Sequence, residues 1–162
     1  MDKKILMKIL RYGLILLICA TLIFIFAQSM KSPEESAADS DKVGDIIAEV
    51  IPPETKPGEF IQTNIRKLAH FTEFFVLGAE IAAYALIFYK NVWVRLLHYP
   101  LGILFALLDE TVQIFTERGP QIVDVWIDFL GYTVSAATVT AVFFLVKFIS
   151  DRFFKQHNQQ GI

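Results

Sequence analysis

Apolar runs long enough to cross a bilayer alternate along this chain with polar connections of very unequal length. The runs cover roughly Ile5–Ala27, Leu68–Tyr89, Val92–Phe115 and Ile122–Phe148. Each has about the ~20 residues that span hydrocarbon at a helical rise of ~1.5 Å per residue. The pattern predicts four transmembrane helices, joined by a long connection over 28–66 and two short ones. Inside the long connection, Ser32-Pro33-Glu34-Glu35 has the form of a capped helix start. Val43, Ile46, Ile47, Val50 and Ile51 then recur at helical spacing until Pro52-Pro53. An amphipathic helix is expected there, either covering the top of the bundle or acting as a lid over a site beneath it.

Composition agrees. With 54% hydrophobic residues and a mean hydropathy of +0.48 over 162 residues, the chain has more apolar surface than one soluble core hides. One all-α integral membrane domain over 1–162, its outer face solvated by lipid, accounts for this. The net charge of −2 provides no basic footprint for a nucleic-acid partner. Cys19 stands alone, so there is no disulfide framework and no cysteine metal site. The first run has the basic start of a signal peptide (Lys3, Lys4, Lys8, Arg11), but its core is long and Phe26-Ala27-Gln28 is a poor cleavage site. A retained helix is expected.

Charge sets the orientation. The N-terminus, the connection with Lys90 and Arg95, and the C-terminal end with Lys147, Arg152 and Lys155 are basic, whereas 28–66 is acidic. The positive-inside rule puts both termini in the cytoplasm and the long connection outside.

Polar and charged residues cluster at the same end of three apolar runs, with Glu80 and Arg95 as further interruptions of the second and third. The cluster is Arg66, Lys67, His70 and Glu73 at the second run, Asp109, Glu110 and Gln113 at the third, and Asp124 and Asp128 at the fourth. Spacing places Arg66, His70, Glu73 and Glu80 on one helical stripe; Gly102, Ala106, Asp109 and Gln113 on another; and Asp124, Asp128, Gly131, Ser135 and Thr138 on a third. Facing stripes of this kind make a bundle interior that is polar at its outer end and packed by small residues below. Ionisable groups at such depth mark a functional site or specific pairs.

Three chemistries suit the cluster. His70 with Glu73, Asp109, Glu110 and Asp124 offers ligands for a divalent metal, although only one histidine lies in the cluster. Alternatively, His70 and Glu73 move protons, with Asp109 and Glu110 assisting, while Arg66, Lys67 and Arg118 hold a phosphate of a membrane lipid or lipid-linked precursor. In the third reading the basic residues simply pair with Asp124, Asp128 or Glu73 and fix helix register. Glu80, about 10 Å deeper than Glu73 by helix rise, is expected to be protonated and bonded to a serine or threonine of the fourth helix. Trp93 and Trp126 fall at opposite interfaces, Pro100 is expected to kink the third helix, and His98 to serve packing.

The blocks Arg66-Lys67-x-x-His70-Phe71-x-Glu73-Phe74, Asp109-Glu110-x-x-Gln113-x-Phe115-x-x-Arg118 and Asp124-x-x-x-Asp128-x-x-Gly131, in that order, resemble the VanZ-like family. Phe26-Ala27-Gln28-Ser29 resembles the family's exit from the first helix. The resemblance implies a small bacterial membrane protein related to one associated with low-level resistance to teicoplanin, a lipid-tailed glycopeptide. It carries over Arg66, Lys67, His70, Glu73, Asp109, Glu110, Gln113, Arg118 and Asp124 as site residues, without a reaction. Asp128, where the family more often has asparagine, and Glu117, in place of a small or proline-rich turn, depart from its pattern. Binding or moving a lipid phosphate or lipid-tailed glycopeptide, enzymatic attack on a lipid phosphate, and a purely structural charge network all remain compatible with these residues.

Overall fold

The computed structural model describes the backbone of residues 2–119 and 121–159 and the side chains through residue 153. Lys155 and His157 therefore lie outside the described side chains. The helices are α1 (Lys3–Ser29), α2 (Pro33–Ala48), α3 (Lys56–Phe88), α4 (Val92–Leu96), α5 (His98–Phe115) and α6 (Ile122–Gln159). Four segments are long and apolar enough to span a membrane: Lys3–Ser29, Lys56–Phe88, Val92–Phe115 and Ile122–Phe153. The chain is an all-helical, multi-pass membrane protein.

Local chemistry explains most boundaries. Ser32 accepts a hydrogen bond from the Glu35 N–H at 3.2 Å while the Glu35 carboxylate accepts from the Ser32 N–H at 3.0 Å. This reciprocal capping box starts α2, with Pro33 opening the first turn. At the other end of the bundle Arg95 donates to the carbonyls of Tyr89 (2.7 Å) and Leu86 (3.0 Å), satisfying acceptors that the end of α3 leaves free.

Two boundaries differ from the sequence expectation. The second transmembrane helix starts at Lys56 rather than near Leu68, so the outer connection is shorter than 28–66. Thr55 caps it through the Gly58 N–H at 3.2 Å, and a bend at Asn64 (φ −117°, ψ 15°) divides its polar first part from its apolar remainder. In the third run the kink expected from Pro100 takes the form of a break one turn earlier, at Leu97 between α4 and α5. The proline has no N–H for the Leu96 carbonyl and its ring crowds that group, so it sits in the first turn of a new helix.

Helices α3 and α6 form the central pair, with α5 packed on α6 and α1 against α3 and α5. Glycine allows the close crossing. A Cβ on Gly131 would lie 3.1 Å from the Phe71 carbonyl carbon, and one on Gly78 would lie 2.8 Å from the Tyr132 Cα. Gly102 of α5 accommodates the Tyr132 ring, whose Cδ1 would be 2.5 Å from an added Cβ. Tyr132 is wholly buried and donates to the His98 carbonyl at 2.9 Å, while His98 Nδ1 lies 3.2 Å from the tyrosine oxygen. His98 thus has the packing role expected of it, with Nδ1 carrying the proton it donates to Tyr132.

Glu80 has a different partner from the one expected. The Thr21 hydroxyl of α1 donates to its Oε1 at 3.0 Å, and among the described residues none of α6 does so. Sequence spacing on one helix cannot reveal which neighbour supplies the donor.

Candidate functional site

The polar runs meet at one end of the bundle. Arg66 of α3 donates from Nη2 to the Gln113 Oε1 at 2.8 Å. The amide nitrogen of Gln113 donates in turn to Asp109 Oδ2 (3.1 Å) and Glu110 Oε1 (2.8 Å). Ser29, at the end of α1, donates its hydroxyl to Asp109 Oδ1, and the Gln121 N–H donates to Glu110 Oε2 at 2.8 Å. His70 Nδ1 approaches Asp128 Oδ1 at 3.3 Å and Asp109 Oδ2 at 3.7 Å. The shorter approach is misaligned for a hydrogen bond, so both Asp128 oxygens and His70 Nδ1 have no such partner. Asp109, Gln113 and Asp128 are fully buried, and His70, Glu110 and Asp124 nearly so.

Above this core is a cavity of about 330 Å3 between the end of α1, helix α2 and the start of the membrane part of α3. Arg66, His70, Glu73 and Arg118 supply its polar floor and Ser36, Asp39 and Lys42 its roof. Helix α2 thus covers the cavity. Arg118 ties it down through Nη2 to Ser36 Oγ (2.8 Å) while Nη1 donates to the Gln28 carbonyl (2.7 Å). Gln62 adds a bond to the Gly44 carbonyl at 2.9 Å, and Lys31 pairs with Asp39. That pairing holds the Asp39 carboxyl below its ordinary value. Much of the α2 apolar stripe stays exposed, with Val43 at 48% and Ile46 at 65%, as does Val50 just past the helix at 81%, so the helix does not rest that stripe on the bundle.

Arg66 and Arg118 are the cations of the cavity floor, and neither forms an ion pair with a carboxylate among the described residues. Burial pushes the Arg118 guanidinium below its ordinary value, and repulsion from Arg66 adds to this. Pairing of Arg66 with Asp124, Asp128 or Glu73, one expectation from sequence, is replaced by the bond to Gln113. Lys67 is on an exposed face and does not border the cavity. Asp124 is buried in the first turn of α6, its Oδ1 without a hydrogen-bond partner. A second hollow of about 400 Å3 runs between α1 and α3 below the cavity. It is lined by Ala20, Thr21, Phe24, Thr72, Glu73 and Val76, and shares Phe24 and Glu73 with the cavity above.

Arg118 reaches the cavity through an unusual turn. Its N–H bonds the Gln113 carbonyl at 3.3 Å, closing α5 in the manner of a Schellman motif. The residue that must adopt positive φ is Glu117, at 58°. Glycine is the usual occupant because a side chain there is strained by about 1 kcal/mol. Glu117→Gly is therefore expected to raise stability by about that amount, read as a higher melting temperature in detergent. A lower one would show that the glutamate side chain holds the turn.

Of the partners identified here, Ser36 carried no signal in the sequence, and Gln28 and Ser29 entered only through a resemblance. No curated protein and no solved structure matches this chain. A model of the VanZ/LLP1 family matches residues 14–147, from within α1 to the second half of α6, and includes every residue of the cluster; the chain belongs to that family.

Proposed function

We propose that the protein binds the phosphate headgroup of a membrane lipid or lipid-linked envelope precursor beneath the α2 lid, at the outer face of a bacterial cell membrane, with both termini in the cytoplasm. The observation that carries this reading is the pair Arg66 and Arg118, which border the cavity without a carboxylate partner. Guanidinium groups held this way match phosphate oxygens, and such charge-assisted bonds contribute about 1.5–3 kcal/mol each. The adjoining hollow between α1 and α3 favours a lipid over a free anion, since the surface it exposes, from Phe24 to Val76, is almost wholly apolar and suits an acyl chain. Its size and that of the cavity fall in the range of about 300–1,000 Å3 usual for ligand sites. Basic flanks at the termini and an acidic outer connection support the orientation. The family resemblance makes a lipid-tailed glycopeptide such as teicoplanin the alternative ligand, and binding or moving it would contribute to antibiotic resistance.

A second reading, enzymatic, is favoured by one feature. His70 borders the cavity with the buried Asp128 carboxylate 3.3 Å from its Nδ1, and an imidazole beside an acid can move a proton once a small ring rotation aligns the pair. Attack on a bound lipid phosphate would use it.

The test reconstitutes the protein in nanodiscs containing a long-chain polyprenyl phosphate and, separately, the corresponding alcohol. The phosphate should be retained and the alcohol not. Arg66→Gln and Arg118→Gln should each weaken retention by about 10–100-fold. Equal retention of both lipids would overturn the reading, and loss of phosphate from the retained lipid would establish the enzyme.

A further inference from the structure

We propose that His70, Asp109, Glu110 and Asp128 form a binding site for one divalent transition-metal ion of the Mn2+ or Zn2+ type. One ligand atom from each of these four residues lies within 4.8 Å of all the others, and all four residues are buried. They come from three helices, α3, α5 and α6, so the site is a property of the assembled bundle rather than of one acidic stretch.

Two features separate this group from an ordinary carboxylate cluster. The first is what is left unbonded. Asp128 is 0% exposed and neither of its oxygens receives a hydrogen bond; His70, at 6%, leaves Nδ1 without one. Native interiors rarely leave such groups unsatisfied, because each costs about 1–3 kcal/mol and more when charged. The separations of 3.3 Å and 3.7 Å from His70 Nδ1 to Asp128 and Asp109 make poor hydrogen bonds. They suit neighbouring ligands of one ion, since donors ~2.1 Å from a tetrahedral centre are ~3.4 Å apart. All four ligand atoms lie within 4.8 Å of one another; an octahedral ion, whose opposite donors are ~4.2 Å apart, needs a small contraction of that spread, and a tetrahedral one a larger contraction to ~3.4 Å.

The second feature is what is already bonded. Asp109 accepts from Ser29 and Gln113, and Glu110 from Gln113 and the Gln121 N–H. Each of these carboxylates keeps lone pairs free while its direction is fixed from behind, as in the outer shell of protein metal sites. Three carboxylates in a low dielectric also call for a cation. One imidazole among hard oxygens selects Mn2+ or Zn2+ over Ca2+. The site stands independently of what the arginines bind above it.

The experiment uses full-length protein, stripped with EDTA in detergent and then titrated with Mn2+ or Zn2+. Bound metal is counted by elemental analysis, Mn2+ affinity is followed by electron paramagnetic resonance, and melting is recorded at each step. One ion per chain and a metal-dependent rise in melting temperature are expected. Asp128→Asn, which keeps the side-chain shape, should weaken binding by more than about 100-fold. Its metal-free form should melt no lower than metal-free wild type, because a buried charge has been removed. His70→Ala should lose the ion as well, and Glu80→Gln, an acid of α3 outside the group, should keep it. Folded wild type that takes up neither metal overturns the proposal, as does undiminished affinity in both Asp128→Asn and His70→Ala. Metal uptake without retention of the polyprenyl phosphate would remove only the lipid reading. Retention by the stripped protein without metal uptake would remove only this one.

Discussion

Gly131→Leu is expected to prevent assembly of the bundle, and Gly131→Ala to destabilise it by about 2–3 kcal/mol, near the upper end of the usual cost of overpacking. The reason is the identity of the atoms in the way. A Cβ at this position would press on the Phe71 carbonyl, meeting its carbon at 3.1 Å and the Phe71 Cα at 3.3 Å. These are backbone atoms of α3, so relief requires moving one transmembrane helix against another. Gly78 makes the opposite half of the same crossing, where an added Cβ would collide with Tyr132 and Ser135 of α6. In a membrane, where lipid is as apolar as the helix surface, such close packing is a main source of association. Any separation of α3 from α6 also pulls His70 away from Asp128, so the site should fail with the fold. Thermal melting in detergent, followed by tryptophan fluorescence, measures the effect. Gly13, with nothing within 4 Å of its added Cβ, is the control and should tolerate alanine. If Gly131→Ala melted with Gly13→Ala and wild type, the crossing would be looser than described here.

The legible part of this molecule is the part written in local pattern. Apolar length located the four spans, the Ser32–Glu35 pattern located α2, and the polar stripes of α3, α5 and α6 do converge. Position along one helix failed wherever the answer depended on another. The polar stretch from Lys56 to Lys67 looked like loop because helicity was inferred from apolar periodicity, yet Thr55 and Pro57 start a helix there. Lys67, one residue from Arg66, was grouped with it although a step of about 100° turns it away from the cavity. The tie from Arg118 to Ser36 joins residues far apart in the chain, and nothing in either neighbourhood announces it. That bond is why the lid reading of α2 is favoured over a plain surface helix.

Gln113→Leu should be the most damaging polar substitution, lowering stability by about 3–5 kcal/mol, the range for removing one member of a buried charged network. Sequence reading placed Gln113 among ligand-binding residues, but it is fully buried and joins three charged partners at once. Its oxygen receives Arg66, and its nitrogen serves both Asp109 and Glu110. Leucine fills the volume but leaves the Arg66 guanidinium and two carboxylates each short of a bond, and the buried Asp109 and Glu110 have no water to replace it. Glutamate repairs only one side. It still accepts from Arg66 while turning an oxygen toward two carboxylates, so Gln113→Glu should also melt well below wild type. Gln121→Ala is the proper comparison, because Gln121 contributes to Glu110 through its backbone N–H and its side chain is exposed. A melting temperature for Gln113→Leu within about 1 °C of Gln121→Ala would mean that the network contributes little to stability. The donors around His70 would then have to be held by helix packing alone, and the Gly131 crossing would be what positions the site.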